Sequence, residues 1–572
     1  MSTTSDRDCA TLLKQALSLH RAGNLSEARQ DYQQILVIDP RHFEALQLLA
    51  TLHSQSGRNE QSLVLFERAT QMDGIRPELF SNRGNALKNL KRFDEALMSF
   101  DLAIRLKPDY AEAHFNHGNV LKEMESFDAA LLSYAKAIRI KANYIEALKN
   151  QGATLQTMGR FEAALAAFSM ALCLQPGDAE ATNNMGTALQ ALSRHDEAIR
   201  HYDAAITVSP EYSDAFYNRG ISLHRTARIQ DALISYETAT RLNPEHVDAH
   251  WNRSLALMLL GKLEEGWRLY EWRLKKNDLK SEYYEGPETV WRGKTDINEK
   301  RLFIHAEQGL GDIIQFVRYL PKVDALGAEV IFQAPPSLMA VLSTLRTRAT
   351  IITTSDKLPD FDAYCPLMSL PNVFKTSLNS IPAETPYLFA DDKKTASFMA
   401  RLGLKRTPRV GLVWSGSSRH ANDDNRSVSL EELLPLLELP IEWHSLQQEY
   451  RPTDLHTLKR RPNIHRHDSD LHDFSDTAAL VACMDLVISV DTSVAHLAGA
   501  MNKPVWVLLP FIPDFRWLLG RRDSPWYPSA RLFRQQRPGD WTSVLDDLRK
   551  ELLGLAGKVS CGCSGGRDVS FE

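Results

Sequence analysis

The stretch Asp109-Tyr110-Ala111-Glu112-Ala113-His114-Phe115-Asn116-His117-Gly118 returns 34 residues later as Asn143-Tyr144-Ile145-Glu146-Ala147-Leu148-Lys149-Asn150-Gln151-Gly152, and that return decides how the first half of the chain folds. Followed outward in the same step, aromatics fall at Tyr32, Phe66, Phe100, Tyr134, Phe168, Tyr202, Tyr236 and Tyr270. Glycines keep the step at Gly84, Gly118, Gly152, Gly186 and Gly220, and alanines at Ala69, Ala103, Ala137, Ala171, Ala205 and Ala239. Prolines stand at Pro40, Pro108, Pro176, Pro210 and Pro244. Chance does not hold four registers in phase. Each unit reads as two amphipathic helices: the small residue lets the first approach the second, the aromatic fills the space between them, and proline ends the second.

A single unit of this kind cannot bury its apolar face, so about eight of them stack into a right-handed superhelix with a long concave groove. The pattern resembles the tetratricopeptide repeat, with motif positions matching over 9–280, and the resemblance implies a groove that takes a protein or peptide partner. Asn82, Asn116, Asn150, Asn184, Asn218 and Asn252 also step by 34 on the first helices. Two readings of them stand side by side. They form an amide ladder that grips a bound peptide backbone, each amide offering a donor and an acceptor, or they solvate the helix surface and bond to the next repeat. Gly266 replaces the usual alanine in the last unit, whose second helix runs into Trp267, Tyr270 and Trp272, which marks a junction.

After Lys280 the period stops. Pro287 and Gly293 interrupt a polar linker over 281–300, and from Arg301 short β-branched or apolar runs alternate with helical segments. That alternation predicts parallel sheets covered by helices, so the overall fold class is an α-solenoid followed by α/β. Strands are expected at Leu302–Ala306, Glu329–Gln333, Ile351–Thr353, Val410–Trp414, Glu442–Leu446, Leu486–Val490 and Val505–Leu508. A proline-bearing linker (Pro382, Pro386, Pro408) divides them into two Rossmann-like lobes, 301–390 and 405–550. A cleft between such lobes is the natural ligand site. Residues 556–572 read as a disordered, Gly- and Ser-rich tail.

Two loops carry the chemistry. Glu307-Gln308-Gly309-Leu310-Gly311-Asp312-Ile313-Ile314 follows a strand and opens a helix, but Ile314 stands where a dinucleotide fingerprint needs its third glycine, which argues against a dehydrogenase. Asp312 reads either as an N-cap or as an acid facing the cleft. In the second lobe, Asp491-Thr492-Ser493-Val494-Ala495-His496-Leu497-Ala498-Gly499-Ala500 follows a strand, and small hydroxyl residues at a helix start leave N–H groups and a positive dipole end suited to a diphosphate. His496 falls one turn inside, either touching that ligand or serving as a core imidazole. A third loop, Ser415-Gly416-Ser417-Ser418-Arg419-His420-Ala421-Asn422-Asp423-Asp424-Asn425-Arg426-Ser427, has small residues for close approach and Arg426 or Arg419 as a cation, Arg426 being preferred because it lies just ahead of a helix.

The pairing of Gly311-Asp312 with Asp491 to Ala498 resembles glycosyltransferase family 9, whose members include ADP-heptose:lipopolysaccharide heptosyltransferases. The resemblance covers about 300 to 550. It implies a glycosyltransferase B fold, an acceptor-side first lobe, a nucleotide-sugar donor held mainly by the second lobe, and inversion at the anomeric carbon without metal or cofactor. It places Asp312 at the general-base position, and Asp491, Thr492, Ser493 and His496 at donor-binding positions; from the reading of the loops themselves, Gly309, Gly311, Ser415, Gly416 and Arg426 are expected to complete the donor site. The chain departs from the family where Ser493 replaces a common glycine and where no lysine follows Trp414. Two other functions are weighed beside this one. A protein O-glycosyltransferase like the O-GlcNAc transferases shares the order of repeats followed by lobes, and a non-catalytic scaffold would use the repeats alone.

Composition narrows the partners. Lys and Arg number 67 against 72 Asp and Glu, a net charge of −5, so no basic excess exists to neutralise a nucleic-acid backbone. The first residues do not form a secretory signal, no apolar run is long enough for a membrane helix, and six cysteines form no disulfide framework, so the cytoplasm is the expected compartment. Asp360/Asp362, Asp468/Asp470, the histidines His465, His467 and His472, and Cys561/Cys563 are set aside as metal sites. Phe511, Phe515, Trp517, Trp526 and Tyr527 either stack on a ligand or pack against the C-terminal helix.

Overall fold

The computed structural model describes residues 2–72, 76–276, 289–418, 422–461 and 463–561, in two compact units, Met1–Ser222 and Leu223–Glu572. The first unit is built from antiparallel helix pairs such as Pro77–Asn89 with Phe93–Leu106 and Ile145–Thr157 with Phe161–Leu174. With the pairs of the second unit, sixteen α-helices lead from Ser2 to Tyr270 among the described residues, a tetratricopeptide solenoid.

The periodic residues do what their chemistry demands. All eight aromatics are buried. A methyl group added at Gly84, Gly118, Gly152 or Gly186 would meet Phe100, Tyr134, Phe168 or Tyr202 at 2.6–2.7 Å, so only glycine lets the first helix close on its partner's ring. The residue that ends each first helix takes positive φ at Gly23, Gly57, Lys91, Glu125, Gly159, Ser193, Ala227 and Gly261. Glycine serves four of these, at no side-chain cost. Lys107, Gln175 and Ser209, ahead of proline, leave the helix for φ of −141° to −132°, because proline's ring disfavours the helical region in the residue before it.

The second unit opens with the helices Ile229–Leu242, Val247–Leu259 and Leu263–Tyr270, the last continued by a 3-10 turn, Glu271–Lys275. Two sheets follow. The first has β1 (Thr289–Val290), β2 (Arg301–His305), β3 (Glu329–Ala334), β4 (Thr350–Thr353) and β5 (Ala363–Pro366) in the order β1-β5-β2-β3-β4. The second has β6 (Arg409–Val413), β7 (Glu442–Ser445), β8 (Ile464–His465), β9 (Leu486–Val490), β10 (Val505–Leu509) and β11 (Ala530–Arg534) in the order β11-β10-β9-β6-β7-β8. Among the described residues every strand pairing in the two sheets is parallel. β6 and β9 are buried along their whole length, as strands covered on both faces must be.

Several expectations are corrected. The segment 281–300 is not simply a linker, since it contributes β1; residues 281–288 lie outside the described residues. The strands β5, β8 and β11 were not anticipated, and the stretch between the lobes carries a helix, Asp392–Leu402, started by the Asp391 carboxylate accepting from the Lys394 N–H. The C-terminal helix runs from Trp541 to Cys561, so the expected tail begins inside it, and its remainder, with Cys563, lies outside the described residues.

Strand order positions the candidate loops. In the first sheet the chain runs from β2 outward through β3 to β4, then returns to the other side of β2 with β5. In the second it runs from β6 through β7 to β8, then returns to the other side of β6 with β9. Such reversals open a crevice at the carboxyl ends of the strands that flank them. The loops after β2, β6 and β9 are the three singled out above.

Candidate functional site

In the first lobe β2 ends at His305, Gln308 turns the chain with φ +62°, and Gly309 caps the helix Leu310–Phe316. Asp312 is therefore the third helical residue and not the N-cap. Its Oδ2 accepts from the Gly309 N–H at 3.0 Å, and its Oδ1 is ion-paired with the Arg516 guanidinium of the second lobe. Arg516 also donates to Asp514 at 2.7 Å and to Gln315 Oε1 at 2.8 Å. Burial pushes the Asp312 carboxyl above its ordinary range, an effect that the Arg516 charge opposes.

The second lobe supplies the helix Ser493–Ala500, which starts after Thr492 without a side-chain cap. The Thr492 hydroxyl instead meets Ser489 Oγ at 3.0 Å. The start of this helix thus keeps unsatisfied N–H character and the positive dipole end. His496 is buried, with Nδ1 3.0 Å from the Tyr527 hydroxyl, Nε2 3.8 Å from Asp491 Oδ1, and its ring stacked on Trp517. Burial, with Arg516 and Arg318 nearby, holds its pKa well below the usual imidazole range, so the ring is neutral.

Glycine brings the two loops together. A methyl group on Gly311 would lie 2.9 Å from His496 Cδ2 and 3.5 Å from the Ser493 Cα, so the first-lobe turn rests directly on the second-lobe helix. Arg426 reaches the same place, donating to the Asp491 carbonyl at 3.0 Å and to Asp423 at 3.3 Å, and lying so close over Gly416 that a side chain there would collide with it. The Trp414 and Ser415 N–H groups donate to Gln447 Oε1 and that of Gly416 to Ser427 Oγ. What this loop presents to the Asp491 segment is therefore the Arg426 cation. Arg419 lies outside the described residues.

Asp491 sits among these groups with its pKa pushed up to about 6, by burial first and then by the Asp514 charge. A carboxyl raised in this way above its ordinary 3.8 destabilises the fold when ionised, and the penalty is relieved as pH falls through about 6. Asp491→Asn is accordingly expected to stabilise the protein by about 1–2 kcal/mol at pH 7.5, an advantage that shrinks as pH falls below about 6 and approaches zero only at about pH 3.5. Urea unfolding at the two pH values measures it; a pH-independent difference would refute the assignment.

The residues that tie this site together belong to no motif in the sequence. Arg516 stands 204 residues from Asp312. Arg273, in the 3-10 turn after the last repeat, is wholly buried and donates from Nε and Nη2 to Glu307 at 2.9 and 2.7 Å, and to Ser369 Oγ at 2.9 Å. Glu307 opens the loop that carries Gly309 and Asp312, and its Oε1 also accepts from the Met368 N–H at 2.9 Å. Tyr270 donates to Gln308 at 3.1 Å, and Trp267 meets Phe316 and Phe515 edge-on at 5.6 and 5.5 Å. The last repeat thus forms one wall of the loop. Tryptophans and an arginine in the drifting repeat were the visible signal.

Other expectations resolve simply. Phe515, Trp517, Trp526 and Tyr527 are buried, so packing is their role in this structure. Asp362 accepts from the Arg301 N–H, while Asp468 and Asp470 pair with Arg466 and Arg401. Of the six asparagines, all partly buried, Asn82, Asn150 and Asn218 donate to Thr51, Asn119 and Asn183 of the preceding repeat at 3.3, 2.8 and 3.1 Å. Inter-repeat bonding accounts for those three. The carbonyl of Asn184 accepts from Gln156. Asn116 and Asn252 hold the same register position. No described helix is long and apolar enough to cross a membrane.

Two kinds of known family match the chain. Tetratricopeptide repeat families match residues 13–77, 84–125, 111–144 and 177–245. Glycosyltransferase family 9 (heptosyltransferase) matches 472–509, a segment that contains Asp491 to His496. Protein FlbA of Caulobacter vibrioides is 26% identical over 315 residues, which cover 51% of this chain and 52% of FlbA. The chain therefore spans about half the length of the curated relative it matches. Among solved structures, YrrB, described as a tetratricopeptide protein with an unusual peptide-binding site, is 26% identical with a TM-score of 0.29, covering 32% of this chain and 95% of YrrB. A tetratricopeptide repeat protein from Parabacteroides merdae is 14% identical with a TM-score of 0.36, covering 44% and 99% respectively.

Proposed function

We propose that the protein is a glycosyltransferase of the B-fold type that moves a sugar from a nucleotide-diphosphate donor to an acceptor hydroxyl, with inversion and without metal, and that its repeats recruit the protein partner or acceptor. One observation carries the reading: the loop bearing Asp312 and the uncapped helix start at Thr492–Ser493 lie against each other, with Arg516 and Arg426 at their sides.

The division of labour follows from charge. An acceptor hydroxyl loses its proton as it attacks the anomeric carbon, and Asp312, its carboxyl raised by burial, is the base. Arg516 leaves Asp312 for the incoming donor, which frees Oδ1. The departing diphosphate gains negative charge, met by the dipole end at Ser493 and the Arg426 guanidinium, already in place, and by the Arg516 guanidinium that the donor has drawn from Asp312. Neutral His496 donates a hydrogen bond from Nε2 without adding charge. Asn116 and Asn150 and their counterparts line the partner groove through whatever amide capacity the inter-repeat bonds leave.

One observation favours a scaffold instead: both Asp312 oxygens are engaged, by Gly309 and Arg516. A panel of nucleotide sugars separates the two readings. The full chain is expected to hydrolyse or transfer from at least one donor, and His496→Ala to weaken that donor by about tenfold, the loss of one hydrogen bond to a charged group. Absence of binding and turnover across the panel would establish the scaffold.

A further inference from the structure

A cavity of about 230 Å³ opens in the second lobe beside the edge strand β11, between residues 520–522 and the C-terminal helix. Four arginines line it, Arg521, Arg522, Arg531 and Arg534, against one acidic residue, Asp547. Carboxylates hold three of the four. Arg521 pairs with Asp523, Arg531 with Glu551, and Arg522 reaches Asp547 only at 4.0 Å.

Arg534 is different. Its Nε donates to the Arg521 carbonyl at 3.0 Å and its Nη2 to the Trp517 carbonyl at 2.5 Å. Among the described residues no carboxylate meets it, and its buried Nη1 has no acceptor at all. Carbonyl oxygens orient a guanidinium but leave its charge uncompensated, and a buried donor without an acceptor is costly. Burial and the neighbouring Arg521 bring its pKa down to about 10. An anion entering the cavity would supply the missing countercharge beside the Arg534 guanidinium. The cavity falls below the size that encloses a drug-sized ligand, and planar guanidinia match tetrahedral oxyanions through paired N–H groups.

We propose that this pocket is a binding site for a phosphate-class oxyanion, held by Arg534 at its base and by Arg521 and Arg522 at its rim. The site is separate from the interlobe residues and does not depend on the proposed transfer reaction.

Calorimetric titration of the full chain with inorganic phosphate at constant ionic strength tests it. Arg534→Gln is expected to weaken binding at least tenfold. Arg522→Ala, at a side chain 76% exposed where folding is not at stake, should weaken it several-fold. Arg426→Gln, which removes a cation proposed for the donor diphosphate between the lobes, should leave the affinity of this pocket's own site unchanged. The proposal is overturned if the parent protein binds no phosphate, if Arg522→Ala and Arg534→Gln both bind as tightly as the parent, or if Arg426→Gln abolishes binding, which would put the phosphate between the lobes.

Discussion

Asp312→Asn is expected to lower turnover by about 10³-fold, within the range for loss of a general base, while leaving donor affinity within about threefold. Asparagine keeps the shape of the side chain and can still accept from the Gly309 N–H, so the turn survives and only the basic function is lost. A second variant gives the base its signature. Arg516 lowers the Asp312 pKa against the upward push of burial, so Arg516→Gln should shift the acid limb of the pH–rate profile upward. A base works when deprotonated, and removing its cation makes the proton harder to lose. An Asp312→Asn enzyme of normal rate, or an acid limb that Arg516→Gln moves downward, would end the assignment.

The other large effect concerns stability. Arg273→Met should cost about 3–5 kcal/mol, because it strands the Glu307 carboxylate in a site where both partners are fully buried. Arg273→Met combined with Glu307→Gln should recover much of that loss, since glutamine is neutral and still accepts from the Met368 N–H. Urea unfolding monitored by tryptophan fluorescence measures both. A single variant costing under about 1 kcal/mol would mean that water reaches the stranded carboxylate.

The legible parts of this fold are those written in local pattern. The 34-residue step places every ring that fills a helix pair, because each is set by its own repeat. The segments after β2 and β9 are recognisable because turn, hydroxyl and acidic residues fall within ten positions of one another. Arg516 was not legible, since nothing near it announces a partner 204 residues away. The strands β1 and β8, of two residues each, are too short to carry a period, and β5 takes its place by pairing with β2. For Asn82, Asn150 and Asn218 the period is plain, but a regular step cannot say whether an amide faces a ligand or the previous repeat. His496 shows the same limit: its position follows from the motif, its burial from Trp517 and Tyr527.

The wall that the last repeat builds against the Glu307 loop bears on how the chain can be divided. A truncation that begins at the end of the periodic region, near residue 280, would discard Trp267, Tyr270 and Arg273 together and expose the faces of Phe316 and Phe515 they cover. The compact unit instead starts at Leu223, so it holds the final repeats together with the two sheets. Any fragment that is to keep the Glu307 loop covered must therefore retain the terminal repeat with the lobes.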